Sequence, residues 1–212
     1  DVINYCKING DKVVVTLESA DPLAKKSQIY TPMKNKKFIM YVGRPTPHKN
    51  LGRLIDAFNI LQKTYPDLYL VLAGKKDLNY SLHEKRVQEQ GVENVVFTDF
   101  IPDEQLAWLY ENTQAYCFPS LSEGFGLPGL EAMIHGAPVV SSSATCLPEV
   151  YGKAAVYFDP LNVDDMVGSI NSLLSNNKLR QELISRGKKH VKKFSWQRMA
   201  EQTLDVYKNT LK

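Results

Sequence analysis

Two rhythms alternate along the chain. Short continuous apolar runs, rich in β-branched and aromatic residues, fall at Lys12–Leu17, Phe38–Val42, Leu68–Ala73, Asn94–Phe97, Ala115–Phe118, Pro138–Ser142 and Ala154–Phe158. Runs of this length and composition predict strands buried on both faces. Between them the apolar positions recur at helical spacing. After Asn50, expected to cap a helix N-terminus, Leu51, Leu54, Ile55, Phe58 and Leu61 share one face, and the pattern ends before Pro66. A second helix is expected to open at Pro102, with Leu106, Leu109 and Tyr110 facing inward, and a third to run from about Leu127 to Gly136. From about Val163 the chain reads as helical, with a last amphipathic pattern from Ser195 to Leu211. Strand and helix in alternation predict an α/β fold, a Rossmann-like doubly wound parallel sheet covered on both faces. Only residues 1 to about 30 break the rhythm, so they read as a connection with a first strand. Residues 31–194 then form the α/β domain and 195–212 a terminal helix.

Composition narrows the function classes. With 26 Lys and Arg against 23 Asp and Glu the formal charge is +3, too small and too scattered to indicate nucleic acid, yet suited to anionic ligands. Cys6, Cys117 and Cys146 form no C-x-x-C pair, so neither a disulfide framework nor a zinc site is expected, and a reducing, cytoplasmic location is. No apolar run approaches the ~20 residues of a membrane-crossing helix; any membrane association is expected to be peripheral, at the inner face. The opening "DVINYCKINGDKVVV" reads as the middle of a longer protein.

In a doubly wound sheet, ligands bind beyond the carboxyl ends of the strands. Two loops there carry chemistry. "VGRPTPHKN", from Val42 to Asn50, links a strand to a helix and holds Gly43 for a tight exit, with Arg44 and Lys49 as two cations beside a helix N-terminus. Forked guanidinium bonds, a mobile ammonium and the helix end together suit a phosphate, although either cation alone would pass as an ordinary surface charge. His48 in the same loop reads as a surface residue.

The second loop, "SEGFGLPGLEAM", spans Ser122 to Met133. Backbone N–H groups near Phe125, Gly126 and Leu127 should emerge from a helix N-terminus, where glycine allows a ligand close approach. Glu123 precedes that helix and Glu131 lies within it. Carboxylates only accept hydrogen bonds, so this pair suits the hydroxyls of a polyol beside an anion-binding hollow, and sugar plus phosphate satisfies the whole loop. A helix-dipole role for Glu123 and a solvated role for Glu131 are the plainer alternatives. "GFGLPG" also spells G-x-G-x-x-G. A dinucleotide site, however, needs the strand to enter the first glycine directly and an acidic residue at the end of the next strand. Here Pro119 to Glu123 intervene and the next strand ends in Ser141 to Ser143, so a dehydrogenase is disfavoured.

From Lys37 onward the sequence resembles the group 1 (family four) retaining glycosyltransferases of GT-B architecture. The likeness is strongest in "YVGRPTPHKNLGRLIDAF", "VVFTDFIPDEQLAWLY" and "FPSLSEGFGLPGLEAMIHGAPVVSSSATCLPEVYGKAAVYFDP", and in G-R-x4-K combined with E-x7-E. It implies a C-terminal, donor-binding half that moves a hexose, with mannose favoured, from GDP-mannose or a UDP-hexose to a hydroxyl of a glycan or lipid-linked sugar. Arg44 and Lys49 would hold the diphosphate, Glu123 the sugar hydroxyls, Glu131 the ribose diol, and Asp99, Phe100 and Ile101 would border the base. The resemblance implies no metal and no cofactor beyond the donor, and an N-terminal acceptor domain as partner. It departs from the family pattern at Glu18–Asp21, "ESAD". A sugar-nucleotide epimerase or phosphorylase of the same architecture, or a non-catalytic nucleotide-sugar-binding module, are the alternatives.

Overall fold

A computed structural model describes residues 2–211. The chain starts with a one-turn helix, α1 (Val2–Cys6), and reaches the sheet at β1 (Lys37–Val42). Then follow α2 (Leu51–Gln62), β2 (Leu68–Ala73), α3 (Leu78–Glu89), β3 (Val95–Phe97), α4 (Asp103–Asn112) and β4 (Ala115–Phe118). The second half runs through α5 (Leu127–Ile134), β5 (Val139–Ser142), α6 (Leu147–Tyr151), β6 (Ala155–Phe158), α7 (Val163–Ser175), α8 (Asn177–His190) and α9 (Trp196–Thr210).

The strands form one six-stranded sheet in the order β3-β2-β1-β4-β5-β6, every pair parallel. Both faces are covered, which is why β1 and β4 are buried without alternation: Phe38, Ile39, Met40 and Tyr41, like Ala115 to Phe118, are 0% exposed. The α2 pattern is borne out residue by residue, with Leu51, Leu54, Ile55, Phe58 and Leu61 all buried. Cys117 lies in the core, where burial pushes its thiol well above the usual range.

The strand order reverses between β1 and β4. Loops leaving these two neighbours diverge to opposite faces and open a crevice, the position at which doubly wound sheets bind ligands. They are the two loops that carry the candidate chemistry.

Three expectations are corrected. Lys12–Leu17 is not a strand: Gly10–Lys12 is a 3-10 turn, and Val14 and Val15 are 58% and 68% exposed. A β-branched run becomes a strand only where a sheet edge takes its N–H and C=O groups, and no strand pairs with this one. The connection instead ties down further on, where Leu23 N donates to His135 Nε2 (3.1 Å) and Gln28 N to Glu104 O (2.9 Å). Asn50 stands at the α2 N-terminus but does not cap it with its side chain; its φ is 59° and its amide is used elsewhere. Pro102 precedes the first residue of α4 rather than opening it.

Candidate functional site

The β1 loop and the β4 loop are stitched together before any ligand is considered. Asn50 Nδ2 donates to the carbonyls of Pro119 (3.0 Å) and Pro160 (2.8 Å), and Leu121 N donates to His48 O (2.7 Å). This explains why Asn50 cannot cap α2. It also gives His48 a main-chain role, while its ring stays at the surface as expected, 3.5 Å from Thr46 Oγ1.

Across this seam Lys49 Nζ lies 2.6 Å from Glu123 Oε1, with the two side chains 19% and 11% exposed. Lys49 also sits 5.6 Å from the centre of the Phe118 ring. A charge-assisted hydrogen bond of that length, largely shielded from solvent, is screened less than an exposed ion pair. The sequence-predicted cation and the sequence-predicted carboxylate therefore meet in one place. Arg44 extends from the same loop, exposed and with no ion-pair partner among the described residues.

Glu123 is fixed from behind by residues the sequence reading missed. Its N–H donates to Thr145 Oγ1 (3.1 Å), the same hydroxyl donates back to its carbonyl (3.2 Å), and Cys146 Sγ donates to that carbonyl (3.3 Å). Thr145 follows β5 at φ 52°, inside "SSSATC"; only an unusual backbone there marks it out, and a sequence does not display one.

Beyond Glu123, Gly126 precedes the first residue of α5, with φ 95°, and no side chain caps the helix. The N–H groups of Phe125, Gly126 and Leu127 find no acceptor among the described residues, so the positive end of the helix is open. The glycines divide by role. A Cβ at Gly124 would meet nothing within 4 Å, whereas at Gly126 or Gly129 it would strike the Tyr151 ring or hydroxyl. Tyr151 donates to Gly126 O at 2.5 Å. Gly129 thus serves to pack α5 on Tyr151, and Gly126 packs there too while its N–H stays open; within this loop Gly124 borders open space. The Phe125 ring turns away to meet Phe194 edge-on at 5.8 Å.

Glu131 is half-buried, not solvated. Burial raises its pKa, the nearby Tyr110 hydroxyl, which donates to Pro128 O at 3.4 Å, opposes that, and the charge of Asp103 adds to it. In the third loop, after β3, Asp99 (φ 60°) accepts from Lys76 N at 2.9 Å, and these main-chain bonds lower its pKa. Its carboxylate therefore builds the loop. Phe100 is 77% exposed, and Ile101 packs against the core. Phe100 and Pro102 line an open cleft of about 800 Å³ with Leu23 and Lys25. Among the described residues no group of three or more His, Cys, Asp or Glu side chains could hold a metal ion, and no helix is long and apolar enough to cross a membrane.

The family model for "Glycosyl transferases group 1" matches residues 24–190. The chain belongs to the group 1 glycosyltransferases. The resemblance drawn from the two loops is thereby borne out. Among the relatives, the O-antigen chain mannosyltransferase B of Escherichia coli is 36% identical over 98% of this chain and 57% of that protein. The MMP alpha-(1->4)-mannosyltransferase of Mycolicibacterium hassiacum is 33% identical over 90% of this chain and 48% of that protein. The chain thus spans about half the length of the curated relatives it matches. Among solved structures, sucrose-phosphate synthase of Thermosynechococcus elongatus superposes with a TM-score of 0.77 at 23% identity, over 91% of this chain and 51% of that one. A C-terminal domain of a group 1 glycosyl transferase from Francisella tularensis gives 0.67 at 25% identity, over 81% and 93%. This group 1 chain therefore has the doubly wound α/β architecture of a GT-B glycosyltransferase domain.

Proposed function

We propose that this domain binds the donor of a retaining glycosyltransferase that moves a hexose, mannose in preference, from a nucleotide sugar to a hydroxyl acceptor. The observation that carries the reading is the 2.6 Å contact of Lys49 with Glu123 across the β1/β4 crevice, beside the uncapped α5 N-terminus. A diphosphate offered there would draw Lys49 and Arg44 onto its oxygens, and release Glu123 to accept hydrogen bonds from the sugar. The two cations and the helix end then stabilise the charge that develops on the departing nucleoside diphosphate. Glu123 orients the sugar, Glu131 accepts from the ribose diol, and the loop of Asp99, Phe100 and Ile101 borders the base. Transfer proceeds on the front face, with a donor phosphate oxygen taking the proton of the acceptor hydroxyl, so the anomeric configuration is retained. The preference for mannose rests on the names of the Escherichia coli and Mycolicibacterium hassiacum relatives.

The acceptor, a glycan or lipid-linked sugar, is assigned to a separate N-terminal domain, because the chain spans about half of each of these relatives. We place the reaction on the cytoplasmic side, at the membrane where a lipid-linked acceptor would lie. The chain by itself would then bind donor without turnover, which is also what a non-catalytic binding module would do. Titration calorimetry with GDP-mannose, UDP-glucose and UDP-N-acetylglucosamine tests donor binding, with GDP-mannose expected to bind most tightly. Lys49→Ala is expected to weaken nucleoside diphosphate binding by roughly ten-fold or more, in line with loss of a charged hydrogen bond, and to leave nucleoside binding nearly unchanged. Equal losses would remove Lys49 from the phosphate site. Joining the chain to an acceptor-binding half should restore transfer; no transfer in that form would leave the binding module as the answer.

A further inference from the structure

Two buried tyrosines lie beneath the β1 loop, and nothing in the proposed chemistry uses them. Tyr41, in β1, and Tyr80, in α3, are both 0% exposed. The Tyr80 hydroxyl donates to Gly43 O at 2.9 Å, and the Tyr41 hydroxyl donates to Arg44 O at 3.3 Å. Successive carbonyls of the Gly43–Arg44 turn are therefore held from below by hydroxyls that come from separate elements.

Backbone geometry shows what this does. Gly43 N donates to Ala73 O at 3.0 Å, so the N–H of Gly43 faces β2. Its carbonyl faces the same side, toward Tyr80 and Gly74: a Cβ placed on Gly74 would come within 2.5 Å of Gly43 O and 2.8 Å of the Tyr80 hydroxyl. The peptide is trans, and in a trans peptide the following N–H points opposite to the carbonyl. The Arg44 N–H is thus turned toward β4, the side on which Glu123 and the α5 N-terminus lie, and it finds no acceptor among the described residues. A Cβ on Gly43 would stand 2.7 Å from the Tyr41 hydroxyl, so the sequence Tyr-Val-Gly-Arg and the glycine after β2 are parts of one fitted arrangement.

The geometry points to Tyr41 and Tyr80 as positioning residues that clamp the Gly43–Arg44 turn, so that the Arg44 amide and guanidinium are presented to a diphosphate. Burial raises both phenols far above their ordinary range, so they remain donors at every working pH. The inference rests on the donor-binding reading above and adds residues that never touch the ligand.

The test is a double-mutant cycle on the intact chain, read by calorimetry with GDP or UDP, whichever binds more tightly, and with the matching nucleoside. Tyr80→Phe keeps the ring and deletes one hydrogen bond. It is expected to weaken diphosphate binding by about 3- to 10-fold, the range of one such bond, with the nucleoside unchanged. In an Arg44→Ala background the same substitution should have a smaller fold-effect, because one of the groups it positions is gone. Equal weakening of nucleoside and diphosphate, or full additivity with Arg44→Ala, would overturn the clamp. Should Tyr80→Phe fail to fold by its thermal melt, Tyr41→Phe supplies the same comparison. If Arg44→Ala itself leaves diphosphate binding intact, the guanidinium holds no phosphate and the clamp as stated falls, an outcome separate from neutral Tyr→Phe variants in a chain where Arg44→Ala weakens binding.

Discussion

A charge on half-buried Glu131 comes at a cost, since burial raises its pKa, with Tyr110 opposing the rise. A carboxylate whose folded pKa is raised contributes stability below its unfolded pKa, and that contribution is lost as pH rises through the folded value. Glu131→Gln should therefore raise the melting temperature at pH 7, and the gain should vanish in acid well below the ordinary Glu range, where both forms are neutral. Melts at two pH values check this; a lower melting temperature at pH 7 would show the charge to be stabilising after all. If Glu131 grips the ribose, donor binding should also begin to weaken on acidification above the pH at which an ordinary carboxylate titrates. Gly129 makes an opposite kind of demand. Its missing Cβ is the room that the Tyr151 ring occupies, so Gly129→Ala is expected to cost about 1–3 kcal/mol through overpacking, measured by urea unfolding. Unchanged stability would show that α5 can shift away from Tyr151 at little cost.

At the level of elements, the crevice is held by a side chain that the sequence suggested for another task. Asn50 was expected to cap α2, and it bridges Pro119 and Pro160 instead. Asn50→Ala should cost about 1–3 kcal/mol by leaving two carbonyls unpaired in a 6%-exposed position. It should weaken donor binding as well, because the two loops lose one of the bonds that join them. What the sequence displayed well were elements with a full apolar stripe or run, such as α2 and the strands from β1 to β6. It did not display α3, in which Tyr80 alone is buried, because a single inward residue has no period. Lys49 and Glu123 were legible since a charged residue in a loop just past a strand stands out against its surroundings. Tyr41, Tyr80 and Tyr151 were not, because a tyrosine in an apolar run looks the same whether its hydroxyl braces a turn or merely ends a core side chain. The Lys12–Leu17 run misled for the converse reason: its composition suits a strand, but strand formation depends on a neighbouring edge that local sequence cannot report.

For the molecule as a whole, the strand order sets where chemistry can occur, and one exposed surface lies apart from it. α9 has no buried residue: Leu204 and Tyr207 are 50% and 63% exposed, and Leu211 just beyond its end is 87% exposed. If a separate acceptor-binding half exists, as proposed above, this exposed apolar face is a surface it could cover. Leu204→Glu should then leave nucleotide binding by the chain unchanged while lowering transfer in a protein that carries both halves, and undiminished transfer would place the contact elsewhere. The ion pair of Lys49 with Glu123 joins positions 74 residues apart. No early, local fragment of a refolding polypeptide can contain both. Capture of nucleotide should consequently appear late in a renaturation time course, lagging behind the recovery of helical circular dichroism.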